Sequence, residues 1–145
     1  DNGIRLRTIG NTVRLPDFVR LPLQGLIDES AQNRNMVLSL ALSYGGRESI
    51  LDATRSVLRE VQAEHVNPAD IDEATLAAAM QTADLPPVDL IIRTSGERRV
   101  SNFLLWEGAQ AKFYATTCLW PDFDRRELYE ALQLAFCETG VGCSP

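Results

Sequence analysis

Lysine is almost missing from this 145-residue chain: Lys112 is the single one, beside thirteen arginines. Histidine is as rare, with His65 alone, and cysteine is limited to Cys118, Cys137 and Cys143. No C-x-x-C or H-x-x-x-H spacing occurs, so a four-ligand zinc site has no sequence support, and small apolar thiols in a reducing cytosol are the expectation. Apolar runs stay far short of the roughly 20 residues that cross a bilayer as a helix. Cations are also in deficit, 14 Lys+Arg against 20 Asp+Glu for a net charge of −6, which weighs against nucleic acid as a bulk electrostatic partner. What the chain does have is 45% hydrophobic residues, enough for a core, and only 23% charged, too few for wholesale disorder. Arginine in place of lysine suits bidentate contacts to oxyanions, although codon usage would leave the same count.

The residues alternate between strand and helix signals. Ile4–Ile9 has the period of a half-exposed strand, and about 17–31 carries apolar residues at helical spacing. Met36–Leu42 is a continuous apolar run, the pattern of a strand buried on both faces. Residues 48–64 place Ile50, Leu51, Thr54, Val57, Leu58 and Val61 on one helical stripe. Asp70 and Glu73 have capping-box spacing before a short helix, Val88–Ile92 reads as another buried strand and Phe113–Thr117 as a fourth. Ser101 is placed to cap a helix over 102–110, and Asp124 with Glu127 to cap one through Leu128, Ala131, Leu132 and Ala135. This order predicts an α/β fold with a mainly parallel sheet flanked by helices. Residues 1–137 are expected to form part of one domain and 138–145 a loose tail. The abrupt strand-like start after Asp1-Asn2-Gly3 reads as if the chain begins inside a domain.

Ligands of open α/β sheets sit beyond the carboxyl ends of strands, and two segments there carry unusual chemistry. Ser43-Tyr44-Gly45-Gly46-Arg47 offers a sharp glycine turn and an arginine early in a helix, where the helix dipole disfavours it. The second runs from Ile91 to Trp106. Arg93 ends a buried strand, Arg98 and Arg99 follow, and Ser101 brings a hydroxyl and free backbone N–H groups at the N-terminus of the expected helix. Guanidinium groups meeting a helix N-terminus make a site for phosphate or diphosphate. The alternative is that Arg93 pairs with Glu97 or Asp89 and the rest is solvated surface. Neither a P-loop nor a dinucleotide-binding glycine motif is present.

Asn35–Arg47, the Arg93–Trp106 segment, Trp120-Pro121-Asp122-Phe123 and the opening Ile4–Gly10 resemble the cis-prenyltransferase family, most closely bacterial undecaprenyl or decaprenyl diphosphate synthases. The similarity runs from about Asn2 to Phe136. It implies a parallel sheet flanked by helices, usually in homodimers, and stepwise condensation of isopentenyl diphosphate onto an allylic diphosphate to give a Z-polyprenyl diphosphate for lipid-carrier synthesis. It also implies Mg²⁺, a cytoplasmic location and peripheral membrane contact for product release. Arg93, Arg99 and Ser101 fall on the family positions that hold the diphosphate of isopentenyl diphosphate, with Val100 contributing backbone. Met36 and Leu42 resemble positions that line the product tunnel.

Three departures qualify what the resemblance implies. The family's D-G-N-G-R-W-A segment, which supplies an essential Asp and the allylic diphosphate cradle, is absent from this sequence. A metal-associated Glu of the family is Lys112 here and a neighbouring His is Arg98, so no metal ligands are assigned. The basic tail that closes a partner's site is replaced by 137–142. The reading is therefore an isopentenyl-diphosphate half-site of a transferase, and the alternative is a non-catalytic or decayed partner subunit that keeps the fold for association.

Overall fold

The computed structural model describes residues 2–137; the tail expected over 138–145 lies outside them. The described residues form two compact units, divided after Asp84. The class is α/β with every strand pairing parallel, and the strands come as two separate pairs, one per unit.

In the first unit, β1 (Ile4–Ile9) pairs with β2 (Met36–Ala41) in parallel, Ile4 opposite Met36 and Ile9 opposite Ala41. The connection is α1 (Asp17–Ser30), the helical crossover a parallel pair requires. Ser30 fastens the crossover: its Oγ accepts from the Leu6 N–H at 3.0 Å and donates to the Leu26 carbonyl at 2.8 Å. The prediction that β2 is buried on both faces fails for its first half, where Met36, Val37 and Leu38 are about half exposed. Among the described residues β1 is the only neighbour of β2, so one edge and part of a face stay uncovered.

Next comes α2 (Gly46–Gln62), whose buried stripe runs through Gly46, Ser49, Ala53 and Val57. That stripe is rotated from the expected one: Leu51 and Leu58 are more than half exposed, because small residues rather than the bulkiest ones allow the helix to approach its neighbours. The short α3 (Glu73–Ala78) packs on α2. Its capping box is Asp72 with Thr75, not Asp70 with Glu73. Asn67 accepts from the Ala69 N–H and organises a 3₁₀ turn over Pro68–Asp70, which occupies Asp70 and delays the helix. Beyond α3 the chain is clamped to β1: Arg7 Nη1 meets both Asp84 carboxylate oxygens at 2.7 and 2.6 Å, and Nη2 donates to the Gln81 carbonyl at 2.9 Å.

In the second unit, β3 (Leu90–Arg93) pairs in parallel with β4 (Lys112–Ala115), Leu90 opposite Lys112 and Arg93 opposite Ala115. The helix expected over 102–110 is not formed; the segment is a run of turns. Ser101, Asn102 and Leu104 all have left-handed backbone, with φ of 54°, 61° and 45°, which no right-handed helix accommodates. The segment nevertheless packs closely on β3. A Cβ on Gly108 would lie 2.8 Å from both Ile91 Cδ1 and the Leu104 carbonyl oxygen. After β4, Trp120 and Phe123 stack at 6.0 Å around the Trp-Pro-Asp-Phe turn. Then α4 (Arg125–Cys137) begins where Asp124 Oδ1 accepts from the N–H groups of Arg126 and Glu127, and it buries Ala131 and Ala135.

Candidate diphosphate site

Arg93 is the last residue of β3, half-buried, and among the described residues its guanidinium has no hydrogen-bond or ion-pair partner. The sequence left open a pairing with Glu97 or Asp89, and the structure gives Glu97 to a different arginine. Glu97 Oε1 accepts from the backbone N–H of Arg98 at 2.9 Å, the backbone N–H of Arg99 at 3.0 Å and Arg99 Nε at 3.0 Å. Its Oε2 accepts from Arg99 Nη2 at 2.9 Å. The Arg99 side chain and these backbone donors hold the Glu97 carboxyl far down, at about 2.

The loop's backbone donors can be accounted for one by one. Ser95 N–H goes to the Cys118 carbonyl at 2.7 Å and Gly96 N–H to the Thr116 carbonyl at 2.9 Å, so the exit of β4 holds the exit of β3. Glu97 N–H goes to the Thr94 carbonyl, and those of Arg98 and Arg99 go to Glu97. The next two, Val100 and Ser101, have no acceptor among the described residues. The helix N-terminus expected to contribute to the anion site is not formed, because Ser101 and Asn102 take left-handed backbone, so Ser101 caps no helix and its Oγ only approaches the Arg99 carbonyl at 3.5 Å. Ser95, with φ 60°, and Gly96, with φ 72°, add left-handed backbone, so the segment concentrates the strain typical of functional loops. The segment thus offers one unpartnered half-buried guanidinium, one oriented and exposed guanidinium, two free N–H groups and a hydroxyl. Such a set suits an oxyanion with several acceptor oxygens.

Arg98 is exposed beside this loop, and Lys112 opens β4, its backbone N–H donating to the Asp89 carbonyl at 2.9 Å. These two stand at the positions that the resemblance associates with Mg²⁺. The described residues contain no group of three or more His, Cys, Asp or Glu side chains that could hold a metal ion. Glu97 spends both carboxylate oxygens on Arg98 and Arg99. An ammonium and a guanidinium cannot ligate Mg²⁺, so this donor set does not fit the ion.

The other segment, Ser43–Arg47, lies in the first unit at the carboxyl ends of β1 and β2. Gly10 (φ 99°) and Ser43 (φ 49°) shape the turn, and Gly45 precedes α2. Gly10, Ser43, Glu48 and Ser49 help line a cleft of about 20 Å³, room for a water and no more. Glu48 is taken by Arg14 at 2.8 Å. Met36 is half exposed on β2, and Leu42 follows that strand, its N–H donating to the Ile9 carbonyl. The organising role of Glu97 was the feature missed from sequence, where only an E-x-R spacing in a turn would have signalled it.

Known proteins resemble this chain over most of its length. Residues 1–136 match the family model described as undecaprenyl diphosphate synthase. An isoprenyl transferase of Heliobacterium mobile is 45% identical over 130 residues, covering 90% of this chain and 50% of that protein. One from Chlorobaculum tepidum is 44% identical over 133 residues, covering 92% and 50%. Among solved structures, lavandulyl diphosphate synthase from Lavandula x intermedia, in complex with dimethylallyl diphosphate, superposes with a TM-score of 0.88 at 38% identity, covering 92% of this chain and 58% of that one. The chain spans about half the length of the curated relatives it matches. With the match over residues 1–136, the chain belongs to the undecaprenyl diphosphate synthase family of cis-prenyltransferases.

Proposed function

We propose that this chain supplies the isopentenyl-diphosphate half-site of a cis-prenyltransferase, which condenses isopentenyl diphosphate with an allylic diphosphate to extend a Z-polyprenyl chain. Arg93, Arg99, Val100 and Ser101 hold the diphosphate. The observation that carries this reading is the half-buried, unpartnered guanidinium of Arg93 at the carboxyl end of β3. Arg93 is partly buried and lacks a partner among the described residues, and a bound diphosphate would supply one. Arg99 adds a second charge, and the N–H groups of Val100 and Ser101 donate to the remaining phosphate oxygens. These groups bind and orient the substrate; none of them acts on a proton. Allylic diphosphate binding, homodimer assembly and peripheral membrane contact for product release belong to the same proposal, as family properties.

Titration calorimetry with isopentenyl diphosphate tests it. Arg93→Ala is expected to lose about 1.5–3 kcal/mol of binding, the usual worth of charge-assisted hydrogen bonds. Arg99→Ala is expected to weaken binding in the same direction. Unchanged affinity in both variants contradicts the site.

A further inference from the structure

Glu97 raises a question of sign. A carboxylate beside a diphosphate site repels the ligand, so simple Coulomb reasoning makes Glu97 a liability that its removal would relieve. The geometry argues the reverse. Arg99 is 81% exposed, and Glu97 is its ion-pair partner among the described residues. Without that partner the long side chain samples many rotamers, and ordering it becomes part of the cost of binding. Glu97 takes only one edge of the guanidinium, Nε with Nη2, leaving the Nη1/Nη2 edge able to receive two phosphate oxygens. The same carboxylate ties down the N–H groups of Arg98 and Arg99, which sets the backbone from which Val100 and Ser101 present theirs.

We propose that Glu97 is a positioning residue for the diphosphate: it pre-orients the Arg99 guanidinium and the backbone before Val100, and so strengthens anion binding despite its own negative charge. This rests on the half-site reading above. Its carboxyl is held at about 2, so the latch stays ionised throughout the neutral range.

The test is a double-mutant cycle by calorimetry with isopentenyl diphosphate on the full chain, using Glu97→Gln, Arg99→Ala and the pair, with thermal melts to confirm folding. Glu97→Gln is expected to weaken binding about five- to tenfold, the scale of one lost pre-ordered contact. Glu97→Asp, which keeps the charge on a shorter stem, should recover part of the loss. In the Arg99→Ala background, Glu97→Gln should cost less than half as much, because most of its effect passes through Arg99. Tighter or unchanged binding by Glu97→Gln overturns the positioning role while leaving the site intact. Equal losses with and without Arg99 also overturn it, since the effect would then be general to the loop. No binding by the unaltered chain overturns the half-site itself, and this role with it.

Discussion

Single side chains carry most of the chemistry here, and their titration makes it testable. Glu97 and Asp84 are both held below the ordinary carboxylate range, Glu97 first by its hydrogen bonds from Arg99 and Asp84 first by those from Arg7. A depressed carboxylate favours the folded state once pH exceeds its unfolded value, and this contribution fades as pH falls through the folded one. For Glu97 the window runs from 4.5 down to about 2. A carbon-detected NMR titration should therefore find the Glu97 carboxyl still ionised at pH 3.5, and a midpoint near 4.5 would show that the latch is not formed. Cys118 shifts the other way: burial, then Glu127, Asp122 and Asp124, push its thiol up. It should alkylate more slowly than free cysteine at pH 7.5. Arg93 stands out in the sequence because a cation at the end of an apolar strand is conspicuous, and β3 does end on it; that Arg99, Val100 and Ser101 join it at one site belongs to the proposal. The partner of Glu97 does not stand out in this way: Arg93 and Arg99 are both within reach in sequence, and only the left-handed turn at Ser95 and Gly96 decides which of them it meets.

Among the elements, β1, β2, α1, α2 and α4 were readable because their apolar periods extend over six residues or more. The segment 101–110 was misread for a local reason. Ser, Asn and two leucines are compatible with a helix, and nothing in their spacing announces three left-handed residues. The α3 box moved by two residues because Asn67 competes successfully as a cap for its own turn. Two glycines hold elements at close range and give a direct check. At Gly10 φ is +99°, and an added Cβ would meet the Leu42 carbonyl and Tyr44 Cβ. At Gly108 the added atom would meet Ile91 and the Leu104 carbonyl. Gly10→Ala combines backbone strain with a clash and should cost about 2 kcal/mol or more in urea unfolding. Gly108→Ala should cost about 1–3 kcal/mol by overpacking alone. Gly25, with open space around it, is the control: Gly25→Ala in α1 should be neutral or stabilising.

For the whole molecule, the α/β class followed from alternating strand and helix signals. The exposed half of β2 did not, because an apolar run records only what a strand can bury, and burial depends on neighbours that local periodicity does not encode. The described surface carries Phe18 at 80% exposure and Trp120 at 71%. Apolar groups so exposed favour association, so this chain expressed alone should sediment as more than a monomer at micromolar concentration. The central proposal is that Arg93 and the loop after it bind the diphosphate. The most direct measurement is calorimetric titration of the chain and of Arg93→Ala with isopentenyl diphosphate, each with Mg²⁺ and with chelator. Binding that survives chelation and falls about tenfold or more in Arg93→Ala is the result predicted. Binding that requires Mg²⁺, or that is indifferent to the loss of Arg93, would contradict it.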